Sequence, residues 1–191
     1  MTRLDNQLCS VEIVRDETFW SGNDYNRDYD IILDPDAYLS EECRMAYAIR
    51  VKMSDREYAV ALVGDMNCQD IDCAVLEGEI LTILHVFDVI QFNLNSAKII
   101  RTVPLDSMFP NFSIYRVGGG YLIHGEVEII MLNEDLEKVW TFGGRDIFVS
   151  VTGKEAFRIG EDRICLYDFE DNYYEIDFQG RLLKDVCHRP K

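Results

Sequence analysis

Proline, histidine and long apolar runs are all scarce in this chain, which has four prolines and three histidines among 191 residues. A membrane-crossing helix needs about 18 or more predominantly apolar residues in a row, and the first residues lack the apolar core of a signal peptide. With 48% hydrophobic residues the chain is not typical of disordered proteins. We therefore expect one compact folded body, in which residues 1–43 elaborate a main domain at 44–191.

Positive charge is scarce as well, because 19 basic residues oppose 35 acidic ones and give a net charge of −16. Residues 1–95 hold 19 acids and 7 bases, whereas residues 96–191 hold 16 acids and 12 bases. This imbalance repels nucleic acids and anionic membranes and favours a basic partner. Its simpler interpretation is solubility. We predict a cytoplasmic protein that binds neither nucleic acid nor membrane.

The side chains suited to metals or disulfides form no recognisable framework. His85 and His124 lie in apolar stretches at similar places of two repeats, and we interpret them as structural. The cysteine spacing suits neither a disulfide scaffold nor a zinc site, so we expect reduced, mostly buried thiols and neither metal nor cofactor. The six cysteines are at positions 9, 43, 68, 73, 165 and 187.

Four segments share one pattern: an alternating apolar stretch, a polar turn, a basic residue and a second apolar stretch. Alternation with period two is typical of half-buried strands, so each segment predicts an antiparallel hairpin. The segments are 45–63, 88–103, 127–142 and 172–186. The basic residues after the turns, spaced 42, 40 and 43 residues apart, are Arg56, Lys98, Lys138 and Arg181.

Other stretches predict further elements. Residues 112–117, 147–151 and 156–159 read as strands between the hairpins. Asp34 can cap a helix and Pro35 suits its first position. The sequence therefore predicts one short N-terminal helix, running from Asp34 to about residue 43.

The recurring strand–turn–basic–strand unit resembles the blades of β-propeller repeat proteins. Its clearest instances are residues 95–100 and 179–183, and the resemblance covers residues 45–186 without a Trp-Asp or Gly-His pair closing each unit. We predict an all-β fold of repeated antiparallel hairpins in a propeller-like array, either four units in a ring or an open arrangement. The resemblance implies a binding platform and no defined chemistry.

Acidic side chains concentrate between residues 24 and 42. Oxygen-bearing side chains at alternate positions of 24–30 resemble the opening of a calcium-binding loop, but Tyr29 stands where such a loop needs Gly and Pro35 where it needs Glu. A solvated acidic loop is the simpler interpretation. The acids that we predict to contact a basic partner are Asp24, Asp28, Asp30, Asp34, Asp36, Glu41 and Glu42.

A second stretch, residues 167–178, interleaves carboxylates with aromatic rings. Such residues can line a groove for a sugar or a cationic ligand, and two carboxylates could hydrolyse glycosides. The simpler interpretation is a hairpin with exposed acids. The candidate groove residues are Asp168, Glu170, Asp171, Tyr173 and Tyr174.

These patterns favour a non-catalytic binding or interaction module with an acidic, partner-facing surface. One specific version is an inhibitor or immunity protein that occupies a basic toxin. No Gly-x-Ser-x-Gly or Ser-x-x-Lys motif supplies a nucleophile, and we assign no catalytic residue. The alternatives are a carbohydrate-acting hydrolase that uses paired carboxylates and a calcium-stabilised structural domain.

Overall fold

Seventeen β-strands make up the regular structure of the protein in the computed structural model, which describes residues 1–19, 28–35, 46–64 and 72–188. The strands form four sheets, and every pairing but one is antiparallel. The chain divides into two compact units, Met1–Ser107 and Met108–Lys191. Each unit contains two of the sheets.

The first sheet has five strands in the order β1-β2-β4-β5-β3. They are β1 (Thr2–Asp5), β2 (Cys9–Asp16), β3 (Ile31–Leu33), β4 (Ala46–Met53) and β5 (Glu57–Val63). The short β3 joins the edge of the sheet parallel to β5. Because β2 pairs with β4 along its whole length, the predicted division at residues 43 and 44 falls between two paired strands.

The second sheet is a meander of four consecutive strands, β6 (Ala74–Glu77), β7 (Ile80–His85), β8 (Asp88–Asn93) and β9 (Lys98–Pro104). The facing sides of the first and second sheets share one apolar core. Val11, Ile49 and Val60 enter it from the first sheet, and Ile83 and Phe92 from the second. Neither sheet could bury its apolar face alone.

The second unit repeats this meander twice. The third sheet contains β10 (Asn111–Val117), β11 (Gly120–Gly125), β12 (Glu128–Leu132) and β13 (Lys138–Gly143). The fourth contains β14 (Phe157–Ile159), β15 (Ile164–Tyr167), β16 (Tyr173–Ile176) and β17 (Leu182–Val186). Their shared core includes Ile129 of the third sheet, Leu166 and Ile176 of the fourth, and Phe148 from the connecting segment.

The all-β prediction is confirmed, and the four predicted hairpins correspond to β4–β5, β8–β9, β12–β13 and β16–β17. The strand predicted at 147–151 is wrong. That segment is irregular. Its apolar residue Phe148 is fully buried although it lies in a loop and not in a strand. The carbonyl oxygen of Ile147 accepts hydrogen bonds from the amides of Val149 and Phe169, and the amide of Phe148 donates to Glu126, so backbone bonds to neighbouring segments hold the loop in place.

The predicted N-terminal helix has no support in the described part of the chain, which contains no α-helix. Residues 36–43 of that prediction lie outside the described residues, and the segment at Asp34 and Pro35 is not helical. None of the described residues belongs to a helix of the length and apolarity that crossing a membrane requires.

The outer strands β9, β13 and β17 share a bulge at one equivalent position. In each, one residue is skipped in the pairing with the neighbouring strand: Ile100, Val139 and Leu183. These three apolar side chains are 52%, 59% and 51% exposed. A bulge inserts one residue and increases the local twist. Because the last three sheets all have a bulge at the equivalent position, they are structural repeats of one another even in this feature.

Candidate ligand groove on the fourth sheet

The acidic-aromatic stretch 167–178 forms the end of β15, a turn, β16 and the following turn. Successive side chains of a strand point to opposite faces. Tyr174 and Ile176 therefore face the third sheet, where they join the apolar core. Tyr173 and Glu175 lie on the opposite, outer face of the fourth sheet.

Asp168 is fully buried and organises the turn between β15 and β16. Its carboxylate accepts hydrogen bonds from the backbone amides of Glu170 and Asn172, at 3.1 and 2.9 Å, and from the side-chain amide of Asn172. The hydroxyl of Tyr174 donates a further bond of 2.7 Å. Both carboxylate oxygens accept hydrogen bonds from the chain itself and the side chain is fully buried, so Asp168 has a structural role.

Tyr174 links this turn to the ion pair of Arg145 and Asp185. Its hydroxyl accepts hydrogen bonds from the backbone amide and Nη1 of Arg145, at 3.0 and 3.2 Å. The same guanidinium binds both carboxylate oxygens of Asp185, at 2.6 and 2.5 Å. These hydrogen bonds lower the pKa of Asp185, while burial raises the pKa of Tyr174. Asp168 and Tyr174 are thus interior residues, and the prediction that they line a groove is corrected.

A groove does lie on the outer face of the fourth sheet, with a volume of about 550 Å³. Of the predicted groove residues, Asp171 and Tyr173 line it, whereas Glu170 is exposed on the adjoining turn. The complete lining consists of Tyr167, Asp171, Tyr173, Lys184, Val186, Cys187 and His188.

Two tyrosine rings form an aromatic wall of the groove. The ring centroids of Tyr167 and Tyr173 are 4.8 Å apart. The ammonium nitrogen of Lys154 lies 4.7 Å from the centroid of the Tyr167 ring, and that of Lys184 lies 5.1 Å from the Tyr173 ring. A cation over a ring face is attracted by the ring quadrupole, so both lysines are held at the aromatic wall.

The carboxylates of the groove are engaged by partners within the chain. Asp171 accepts a bond from the Thr152 hydroxyl at 2.9 Å and forms an ion pair with Lys154 at 3.2 Å. The Thr152 hydrogen bond is the main reason why the pKa of Asp171 is lowered. The carboxylate therefore stays ionised within a closed set of contacts.

Glu175 is engaged in the same way. It accepts hydrogen bonds from Arg163 at 2.6 Å, from the Tyr173 hydroxyl at 2.9 Å and from Lys184 at 3.4 Å. The Arg163 bond is the first cause of the lowered pKa of Glu175, and burial raises the pKa of Tyr173.

Asp177 completes the series. Arg181 donates to its carboxylate through the backbone amide at 2.9 Å and through Nε at 2.7 Å, and the pKa of Asp177 is lowered. Among the carboxylates of 167–178, only that of Glu170 has no hydrogen-bond partner within the described residues. A glycosidase needs one acid whose pKa is raised, and the shifts of Asp171, Glu175 and Asp177 go the other way.

Three of the seven acids that we predict to contact a basic partner lie among the described residues. Asp28 and Asp30 are exposed and precede β3, while Asp34 follows it and is half-buried. The Asp30 carboxylate accepts the Ala59 amide at 2.8 Å, which anchors the start of the parallel pairing. Tyr29 donates to Asp16 at 2.6 Å. Asp24, Asp36, Glu41, Glu42 and most of the calcium-loop motif lie outside the described residues.

The histidines of the apolar strands are packed among side chains. The ring of His124 stacks on Phe157 with a centroid distance of 4.6 Å, and its Nε2 donates to the carbonyl oxygen of Phe148 at 3.2 Å. Burial lowers the pKa of His124 to about 4. His85 is buried as well. Among the described residues, no three His, Cys, Asp or Glu side chains gather around a possible metal position.

The described cysteines are free thiols, with Cys9, Cys73 and Cys165 buried and Cys187 exposed at the groove. A second pocket of about 380 Å³ lies in the second unit, between the turns of the third and fourth sheets. Trp140 forms one wall, and its indole nitrogen donates to the carbonyl oxygen of Phe178 at 3.2 Å.

Sequence reasoning missed Lys184 and His188, which line the groove. It also missed Lys154, which lies at the rim, where its ammonium group contacts the lining residues Tyr167 and Asp171. The hairpin predicted at 172–186 could have indicated Lys184, because the two strands of a hairpin pair with each other. In the structure, the register of β16 and β17 pairs Lys184 with Glu175 on the outer face. No signal for Lys154 was available, since it reaches the groove from the irregular segment before β14.

No protein-family model matches the chain, and no curated protein matches its sequence. Solved structures do match its fold. The computationally designed Ika8 protein is 9% identical and superposes with a TM-score of 0.52, over 96% of this chain and 60% of that one. At this identity the similarity concerns the fold alone.

β-Propeller-like domains are also among the similar structures. The AfRom2 CNH domain is 10% identical with a TM-score of 0.49, over 74% of this chain and 47% of that one. BamB from Moraxella catarrhalis is 11% identical with a TM-score of 0.47, over 76% of this chain and 46% of that one. The chain thus spans about half the length of these two structures. At these identities the resemblance to β-propeller-like domains concerns the fold alone.

Proposed function

We propose that this chain is a non-catalytic binding module that acts in the cytoplasm through its surface. The observation that carries the proposal is the engagement of its carboxylates. In the stretch richest in acids and aromatic rings, Asp168, Asp171, Glu175 and Asp177 all hold hydrogen-bond donors of the chain itself. These bonds hold the turns of the chain together and leave no pair of unengaged carboxylates in this stretch to act on a bound substrate.

The fold is compatible with this role. Repeated antiparallel sheets present many turns from a rigid body, which is how repeat folds build binding surfaces. A fold does not determine a function, so the proposal depends on the surface chemistry of the described residues and on charge.

The partner that we propose is a basic protein, bound by the acids around β3, and an inhibitor or immunity protein for a basic toxin is one specific form. Net charge supports this choice, since residues 1–95 hold 19 acids against 7 bases. Asp28 is exposed beside the edge strand β3, whose Ile32 is 43% exposed. Opposite charge on a partner accelerates association and selects against acidic competitors.

Binding of an oligolysine peptide, measured by calorimetry at low and physiological salt, tests this proposal. Changing the seven predicted contact acids to amides should weaken binding about tenfold or more. A matched control removes seven exposed acids of the second unit: Glu134, Asp135, Glu137, Glu155, Glu161, Asp162 and Glu170. Equal losses in both variants, or affinity that does not fall with salt, would refute a localised acidic site.

The alternatives have direct tests. A carbohydrate hydrolase would cleave aryl glycosides and would lose that activity in E170Q or D171N; we expect no cleavage by the unmodified protein. A calcium-stabilised domain would melt at a lower temperature after chelation, whereas we expect the same melting temperature with calcium and with a chelator.

A further inference from the structure

The outer face of the fourth sheet differs in chemistry from the matching face of the third sheet. The bulges at Val139 and Leu183 align the two sheets residue by residue. One cross-strand row of the third sheet is Tyr115, Leu122, Met131 and Trp140, all packed in the core of the second unit. The equivalent row of the fourth sheet is Arg158, Cys165, Glu175 and Lys184.

The fourth sheet thus has a largely charged row where the third sheet has an apolar one. Trp140 packs against the fourth sheet, whereas its equivalent, Lys184, lies over Tyr173 at the groove. A charged face suits contact with water or with a polar ligand better than burial under apolar side chains. The groove is accordingly suited to a polar ligand.

Positive charge is more accessible than negative charge in the groove. The side chains of Lys154 and Lys184 are 40% and 53% exposed, while those of their partners Asp171 and Glu175 are 17% and 13% exposed. The carboxylates also accept bonds from Thr152 and Arg163. A ligand would therefore meet ammonium groups first, although the chain as a whole is strongly acidic.

The aromatic wall argues against a cationic ligand. A cation would need an open ring face, but Tyr167 and Tyr173 already hold the ammonium groups of Lys154 and Lys184 over their faces. A second positive charge at the same rings would be repelled. An anion would instead be attracted by both lysines, while its organic body contacts the edges of the rings and Val186.

The segment after β17 completes the groove. The backbone amide of His188 donates to the Asn172 side-chain oxygen at 2.7 Å, and Asn172 in turn is bound to the buried Asp168. This connection fixes Cys187 and His188 along the groove wall. The imidazole of His188 is exposed there and can donate a hydrogen bond.

We propose that the groove binds a small organic anion, a phosphomonoester or a carboxylate, through the ammonium groups of Lys154 and Lys184. This site uses none of the acids assigned to a basic protein partner. A failure of either proposal would therefore leave the other in place.

The test is calorimetric titration of the full chain with phenyl phosphate and with benzoate. Benzyl alcohol serves as the neutral probe, and benzyltrimethylammonium as the cationic one. Lys154→Gln and Lys184→Gln are measured separately. Each variant is first checked for native near-UV circular dichroism, so that if one of them does not fold, the other still tests the proposal. Lys98→Gln is the matched control, because it removes one positive charge from the exposed start of β9.

We expect at least one of the two anions to bind, and K154Q and K184Q to weaken it fivefold or more. K98Q should change affinity less than twofold. Preference for phenyl phosphate would identify a phosphomonoester site, and preference for benzoate a carboxylate site. Absence of anion binding, tighter binding of benzyltrimethylammonium or benzyl alcohol, or an equal loss in K98Q would overturn the proposal.

Discussion

The hydroxyl of Tyr58 donates a hydrogen bond of 2.6 Å to the carbonyl oxygen of Leu94, which lies in the last turn of the following sheet. Trp140 makes the matching contact in the second unit, where its indole nitrogen donates to the carbonyl oxygen of Phe178. In each unit, an aromatic side chain of one sheet thus donates a hydrogen bond to the last turn of the next sheet. This repeated contact fixes the spacing of neighbouring sheets where their cores end.

Replacing Tyr58 with Phe removes this hydrogen bond but keeps the ring. Arg56 also donates to the Leu94 carbonyl, at 2.8 Å, so that oxygen keeps a partner. We expect the free energy of unfolding to fall by about 1 kcal/mol, measured by urea denaturation. The control is Y167F, because Tyr167 has its ring contacts but no hydroxyl hydrogen bond within the described residues. Equal effects of Y58F and Y167F would show that the contact does not contribute.

Gly180 lies directly against the Trp140 ring. A Cβ atom at this position would approach Trp140 Cδ2 to 2.6 Å, and the backbone φ is +77°. We expect G180A to lower the free energy of unfolding by about 2–4 kcal/mol, because both overpacking and a left-handed backbone are costly. Gly153 is a matched control, with φ +80° and open space around it. G153A should cost about 1 kcal/mol, so a difference near zero would exclude the Trp140 clash.

The stability of the protein should depend strongly on the negative charge of Asp168. In D168N, a side-chain amide would face donors from Asn172 and Tyr174 that now meet a carboxylate. We expect a loss of about 3 kcal/mol or more in the free energy of unfolding, because one of the two acceptor oxygens of a buried network becomes an amide donor that faces other donors. E170Q alters an exposed neighbour and should stay within about 0.5 kcal/mol. A similar small effect of D168N would contradict the buried role.

Much of the fold could be predicted because hairpins carry their own signal. Alternation places apolar residues on one face of β4 and of β16, and those faces are buried as expected. The strand β17 is exposed at every position, so its apolar residues are not buried. Other strands carry little signal of their own. β1 has four residues, and β3 is a three-residue parallel strand that pairs with β5 only through tertiary structure. Phe148 misled the prediction because a loop can bury a large ring.

The groove could be predicted in part for the same reason. Alternation along β16 separates Tyr173 and Glu175 from Tyr174, so the sequence could have assigned Tyr174 to the interior. The burial of Asp168 could not be predicted, because a turn carboxylate has no periodicity. Lys154 reaches Tyr167 through a turn whose course depends on the packing of Phe157 and Phe148.

Stability between pH 7 and pH 4 should depend on His124. An unfolded histidine binds a proton near pH 6.5, whereas the native ring, buried against Phe157, does so only near pH 4. The unfolded state therefore holds more protons in this range, and the free energy of unfolding contributed by His124 is complete above about pH 6.5 and falls as the pH drops towards 4. The slope approaches about 1.4 kcal/mol per pH unit.

Urea denaturation of the unmodified protein and of H124F across this range isolates the histidine, because other titrating groups are common to both. Phe keeps the stacking on Phe157 but cannot titrate, so the unmodified protein should lose free energy of unfolding relative to H124F as the pH falls from 6.5 to 4, by up to about 1.4 kcal/mol per pH unit. Parallel profiles for H124F and the unmodified protein would mean that His124 is protonated in the native state as readily as in the unfolded one.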